Sequence, residues 1–500
     1  MVSNPEMRVC SLVLLILLLA PFQTSEQPKV APQVVYATYL GGRHKDFASA
    51  IAVDRLGAAY VAGRTLSPDF PVTQGALITT SRINNDDWIG FVTKLTEKGD
   101  RFSYSTLLGG NYRSSANAIS VDSSGRALVV GSTCSSNFPT TPKAIFRRAP
   151  GSTRPDACDA FLAVLNSTGA QLDYGTYLGG RDEDSASAIA LDERNNTIYV
   201  GGYTSSSDFP VTESAAQRNL RGVTNGFLSA IDIRAGKLLY STFLGGNASD
   251  AVTAIAVSPD GAVYVAGITQ STDWPGVAWS RYGKTGGSDG FVLRIDPTTK
   301  SRVSGIRIGG SGDETLTAIA LDSQGDIYAV GSTDSRDFPL TSSNRPAIGS
   351  GYILKIDGRK FASERPSVVW STRVGGHIDD ALLAVSAGMS GSVFLAGRSS
   401  SPDFPTTPGA FHHHLSAQND SVLVRLRSSD GQLRFATFLG GTTVATADWH
   451  NDAATGILAD SSGNVYVSGY SIDDRLPVTP GAPQPKRKGN TEPFVLRLRF

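Results

Sequence analysis

The sequence predicts an all-β fold, a seven-bladed β-propeller with four antiparallel strands per blade. Three observations predict it: a phased internal repeat, strand-type alternation within each copy, and chain ends that complement one another. The repeat is marked by a Gly-Gly pair after an aromatic-rich stretch, at Gly41-Gly42, Gly109-Gly110, Gly179-Gly180, Gly245-Gly246, Gly309-Gly310, Gly375-Gly376 and Gly440-Gly441. Successive first glycines are 68, 70, 66, 64, 66 and 65 residues apart, so seven copies run in phase. A closed ring of repeats is one domain whatever its length, so 500 residues do not require several domains.

Each copy holds four strand-like pieces. The first ends in the glycine pair, as in Tyr36-Ala37-Thr38-Tyr39-Leu40 and Tyr240-Ser241-Thr242-Phe243-Leu244. Next comes a strand of small alternating residues, such as Ala50-Ile51-Ala52-Val53 or Ala188-Ile189-Ala190-Leu191. After a tight turn such as Asp122-Ser123-Ser124-Gly125 stands a third strand such as Tyr60-Val61-Ala62-Gly63. The fourth follows a longer connection, as in Phe91-Val92-Thr93-Lys94-Leu95. Period-2 alternation, β-branched and aromatic residues, and Gly, Asp and Ser at the corners are the marks of short strands. Small side chains place the Ala-Ile-Ala-Val strand at the crowded axis and the Gly-Gly strand at the rim. The mature chain then begins with a rim strand (36–40) and ends with the third strand from the axis (494–498), so the N-terminal strand is predicted to complete the last blade and hide two edges.

These residues carry a resemblance. Tyr-Ser-Thr-Phe-Leu-Gly-Gly, Ala-Ile-Ala-Val-Asp, Ser-Ser-Gly, Tyr-Val-Ala-Gly and Asp-Phe-Pro-x-Thr resemble the SBBP (seven-bladed β-propeller) repeat family over residues 35–500. The resemblance implies the fold. It implies no shared catalytic residue or ligand, and a common fold does not establish a function.

The predicted organisation is a signal peptide over 1–25, a linker over 26–34 and the propeller over 35–500. Arg8 precedes an apolar run from Val9 to Ala20, too short to span a bilayer comfortably, and polar residues follow. A secreted or cell-envelope location is therefore expected, with no membrane insertion of the mature, monomeric chain. Forty-five basic residues balance 45 acidic ones, which argues against a nucleic-acid partner. In an oxidising compartment Cys134 and Cys158, at the two ends of one long loop, are expected to form a disulfide.

In a four-stranded meander every long loop and every crossover falls on one face, which is where a ligand is expected. Each long loop opens with Asp69-Phe70-Pro71 or its counterpart (Asn137, Asp208, Asp273, Asp337, Asp403, Arg475), and the aromatic is expected to pin the loop to its blade. Four residues ahead of the small-residue strands stand Asp46, Ser114, Asp184, Asp250, Glu314, Asp380 and Asp452. The six acids are expected to ring one mouth of the channel. They are read either as a cation or docking ring, calcium being the ion suited to such oxygens, or as acceptors for backbone N–H groups in their own turns. Departures from symmetry single out His377 and Asp380 with Trp449, His450 and Asp452, the last three in an insertion over 442–452. The His412–His414 triplet reads as a solvated loop, and no nucleophile elbow, zinc-helix or nucleotide motif occurs in context. The functional expectation is a non-catalytic binding or scaffold module for an extracellular protein or glycan. The alternatives are a polysaccharide hydrolase or lyase using the mouth carboxylates, and a structural part of an envelope assembly.

Overall fold

The computed structural model describes residues 31–80, 87–151, 157–295, 303–341, 349–363, 366–388, 391–416, 418–440, 452–472, 474 and 476–500. The expected signal segment, Trp449, His450 and Arg475 lie outside the described residues.

The fold is the expected propeller of seven sheets. Blade 1 runs from the axis outward as Asp46–Val53, Ala59–Thr65, Ile89–Leu95 and Phe102–Leu108, and blades 2, 3, 5 and 6 repeat that order. In blade 7, Ala453–Ala459, Asn464–Ser471 and Glu492–Arg499 are completed by Gln33–Tyr39, which pairs antiparallel with the C-terminal strand. The ring thus closes by joining the two ends of its sequence in one sheet. Inner strands pack on the inner strands of both neighbours all the way round, and the apolar core lies between successive sheets. Between blades 1 and 2, for example, Tyr60, Val92 and Tyr104 meet Ile119 and Phe161.

Blade 4 departs from the expected four strands. Its loop segment Val277–Gly283 adds a fifth, parallel to the rim strand Val303–Gly309. In the other blades the loop runs past the rim strand in the same place but is tied only at points. Thr73, Thr141, Thr212, Thr407 and Thr479 donate their N–H groups to carbonyls of the rim strand (Ser105, Gly175, Ser241, Ala436 and Ala37) at 3.0–3.2 Å. The Asp-Phe-Pro-x-Thr element is therefore a strap. Its aromatic is the pin: Phe70, Phe138 and Phe209 are buried and sit 4.4–4.5 Å from Phe91, Phe161 and Phe227 in ring-centroid distance.

In blades 1 to 6 the inner strands begin four residues earlier than expected, at the acidic position itself (Ser114 in blade 2). What hides this in the sequence is a bulge. In all seven blades the register between the first and second strands slips at one place, between Ala48 and Ala50 in blade 1 and between Leu316 and Ala318 in blade 5. The residue so freed reaches sideways. Asn117, Thr253, Thr317 and Thr455 each donate a side-chain hydrogen bond (2.6–2.9 Å) to a carbonyl of the next blade's inner strand, on Ala186, Leu316, Leu382 and Ala48. The last of these joins blade 7 to blade 1. Bulges locally redirect a strand, and in these four blades they turn one side chain into a lateral link.

The same bulge explains the glycine ending each Tyr-Val-Ala-Gly strand. A Cβ on Gly63, Gly131, Gly202, Gly267, Gly331, Gly397 or Gly469 would stand 1.8–2.2 Å from a carbonyl oxygen of the bulged strand. Glycine is needed there because another backbone passes too close, not because of its φ.

Cys134 and Cys158 form a disulfide, with Cα atoms 4.0 Å apart and 24 residues between them in sequence. Closing a loop of that size is expected to stabilise blade 2 by about 3 kcal/mol through the unfolded chain. Denaturation with and without reductant checks this: reduction should lower the midpoint, and both thiols should resist alkylation until it is added.

Candidate functional site: the loop-bearing face

Strand registers define the two faces. Asp46 pairs with Thr65 and Thr65 with Ile89, so the start of the inner strand, the end of the second and the start of the third share one edge. That edge carries the crossovers and the long loops. The opposite edge carries short turns, such as the one from Val53 to Ala59.

The acidic positions lie on the loop-bearing edge, but they do not present their carboxylates to solvent. Asp46, Asp184, Glu314 and Asp380 are 0% exposed, and Asp250 and Asp452 are 1% exposed. Of the two readings of these carboxylates, the arrangement matches that of acceptors for backbone N–H groups. Their positions in the sheets explain it: each caps the crossover that brought it there. Asp46, Asp184, Asp250, Glu314 and Asp380 each accept the N–H of the second glycine of the preceding pair at 2.8–2.9 Å. Asp46, Asp184, Asp250 and Asp380 also accept a loop hydroxyl, from Ser67, Ser206, Ser271 and Ser401 respectively, at 2.8–3.1 Å. Asp452 accepts from Ser471 at 2.7 Å and from the Ile472 N–H at 2.8 Å. In blade 2 the position is Ser114, which bonds Thr133 instead. Hydrogen bonds of this kind compensate a buried charge only in part. Burial pushes Asp46 up to about 6 despite the hydroxyls of Thr65 and Ser67 and the Gly42 N–H.

At several blade junctions a second carboxylate stands beside the first. Asp159 of blade 2 faces Asp184 of blade 3, one oxygen of each within 2.7 Å of where a Cβ on Gly179 would stand. Glu492 of blade 7 stands beside Asp46 of blade 1 around Gly41, and Asp420 beside Asp452 around Gly440. Desolvation raises both members of the first pair, with Asp184 and Glu183 raising Asp159 further. Glu492 is raised chiefly by burial as well. Between blades 4 and 5 the Asp289–Glu314 pair has a cation, Arg307, whose Nε lies 2.5 Å from Asp289. Between blades 3 and 4 an amide takes the second place: Asn225 Nδ2 donates to Asp250 Oδ2 at 3.2 Å. None of this pairing was read from the sequence, because its members come from different repeats.

His377 is exposed and its ring Nδ1 is hydrogen-bonded to the Asp403 carboxylate, while Asp380 is buried. The remaining members of that expected constellation, Trp449 and His450, lie outside the described residues. Among the described residues no group of three or more His, Cys, Asp or Glu side chains is assembled to hold a metal ion. In the histidine triplet, His413 contacts Thr406 and the His412 carbonyl accepts from Phe438, so the backbone strap uses the segment.

A feature the sequence reading passed over stands on the same face where blades 7 and 1 meet. Phe47, Trp88 and Tyr470 are half-buried and in edge contact, with Phe47 centroids 5.4 Å from Trp88 and 4.7 Å from Tyr470. The exposed Arg64 lays its guanidinium over Trp88 at 4.7 Å and over Phe47 at 5.5 Å. At the positions of Phe47 and Trp88, blade 5 has Thr315 and Gly349. The face is also polarised. The residue before the buried acid is Lys45 in blade 1, Glu183 in blade 3, Asp313 in blade 5 and Asp379 in blade 6.

The SBBP profile, described as a beta-propeller repeat, matches residues 35–71, 103–139, 173–210 and 306–339. The regulatory protein FlaEY of Caulobacter vibrioides is 24% identical over 363 residues, 69% of this chain. The chain spans about a third of that relative's length, 35%. Among solved structures, Sqt1 of Chaetomium thermophilum is 15% identical with a TM-score of 0.42, covering 87% of this chain and 96% of its own. The Pan2 WD40 domain of Neurospora crassa is 9% identical with a TM-score of 0.42, covering 94% and 96% respectively. The chain is a β-propeller that carries the SBBP repeat.

Proposed function

We propose that this propeller is an exported, non-catalytic binding module that presents its loop-bearing face to a protein or glycan outside the cell. The observation that carries the reading is the division of labour between the faces. One has short turns, whereas the other gathers the long loops, the crossovers and the departures from sevenfold symmetry. The carboxylates that a hydrolase or lyase would draw on are buried and occupied with the Gly-Gly crossovers, which favours binding over catalysis. Export is supported by the apolar N-terminal run in the sequence, and the Cys134–Cys158 disulfide is compatible with it. Among the described residues no helix is long and apolar enough to cross a membrane. A relative that bears the name of a regulatory protein suits a role in partner recognition.

The test is fractionation followed by a binding screen. The full chain, epitope-tagged, is expected in the medium or envelope fraction. Purified from there, it should bind a glycan or an identified surface protein saturably without turning it over. Retention in the cytoplasm, turnover of a bound polysaccharide, or no saturable ligand in the screen would each overturn the reading.

A further inference from the structure

We propose that the corner formed by Phe47, Arg64, Trp88 and Tyr470, with Lys45 beside it, binds an acidic glycan, the carboxylate of a uronic acid pairing with Arg64. The inference rests on the binding-module reading and names its ligand class and place.

Arg64 is the centre of the argument. It is exposed, yet packing against the aromatic rings desolvates it enough to lower its pKa. Among the described residues no carboxylate lies within ion-pair distance of it, and its guanidinium donates no hydrogen bond to any of them. Arg43 nearby is different, since Asp69 holds it at 3.1 Å. A guanidinium stacked on rings keeps its plane fixed and its five donors free, so pairing with a planar carboxylate costs little further ordering. Lys45, exposed and likewise without a carboxylate partner among the described residues, supplies a second positive charge.

The aromatic residues supply the other half of the chemistry. Trp88 and Tyr470 both contact or flank the Phe47–Arg64 stack and remain partly open to solvent. The negative face of an aromatic ring attracts the weakly positive C–H face of a pyranose, while the sugar's hydroxyl edge stays in water. An acidic sugar meets both demands in one residue. The structural demands of the fold do not account for the cluster, because blade 5 keeps the same sheet with Thr315 and Gly349 there.

Charge on the rest of the face separates this ligand from a nucleic acid. Asp313, Asp334 and Asp379 are exposed along the groove of blades 5 and 6. They would repel a polyanion laid across the ring, and the chain has no net charge to offset them. An anionic group confined to the corner of blades 7 and 1 avoids them.

The test is calorimetric titration of the purified chain with oligogalacturonate, cello-oligosaccharide of equal length, and oligo-dT. Oligogalacturonate should bind saturably and more tightly than the other two, weakening as salt rises. Arg64→Gln and Trp88→Ala should each weaken it by about tenfold or more, and Lys45→Gln by less. Lys98→Gln, on the short-turn face of the same blade, should leave it unchanged. Melting curves identify any variant that loses its fold, and the exposed Arg64 and Lys45 changes carry the test if Trp88→Ala does so. No binding of oligogalacturonate, equal binding of the neutral oligosaccharide, preference for oligo-dT, or binding indifferent to Arg64→Gln would overturn the inference. If another glycan or an identified surface protein still bound, the module reading would survive that failure.

Discussion

Gly331→Ala is expected to destabilise the propeller by about 3 kcal/mol or more, seen as a lowered denaturation midpoint. The new Cβ would stand 1.8 Å from the Thr315 carbonyl oxygen. Backbone cannot step aside as a side chain can, so relief requires undoing the bulge between Leu316 and Ala318. Undoing it retracts Thr317, whose hydroxyl lies 2.7 Å from the Leu382 carbonyl of blade 6. The appropriate comparison is Gly463→Ala. Gly463 has φ of 82° in a surface turn with no atom near its Cβ position, so its change costs only the strain of a left-handed backbone, about 1 kcal/mol. If the two variants melt alike, close backbone approach is not what selects glycine at the end of each Tyr-Val-Ala-Gly strand.

Asp159→Asn is expected to make the protein more stable at pH 8.5, by about 2 kcal/mol, and to change little at pH 5. Asp159 is raised to about 8 and Asp184 to about 7, each by burial first. The folded protein therefore holds protons that the unfolded chain releases near pH 4. Stability contributed by the protonated pair is present in full at low pH and is lost as pH rises through the folded values. An amide removes one of the two titrating groups. Blade 3 already contains the product of this change, since Asn225 occupies the equivalent place and donates to Asp250. Thermal melts of both proteins from pH 5 to pH 8.5 decide the matter. Parallel curves, or a wild type that gains stability across that range, would show that the pair does not titrate there.

Legibility differed between the fold and the face. Closure by the N-terminal strand was readable because the two ends of the chain hold complementary parts of one blade. The blade count and strand order were readable because each depends on residues close in sequence and is repeated seven times. The Asp-Phe-Pro-x-Thr pin was readable for the same reason. Blade 4's fifth strand was not, since Val277–Gly283 differs from the other loops only in a short β-forming stretch that needs an exposed rim strand to pair with. The acidic positions were found by their regular spacing, but spacing says nothing about solvent. Their burial follows from the Gly-Gly crossover folding back over them.

The sequence by itself determined the ring: period, alternation and complementary ends leave one way to bury these strands and hide their edges. Tertiary structure alone decided what meets at the junctions between blades. Asp159 and Asp184 belong to consecutive repeats, and Phe47 and Tyr470 to opposite ends of the chain, yet each couple shares one site. Side-chain periodicity records which face of a strand is buried, whereas the partner across a blade junction is set by how neighbouring sheets stack.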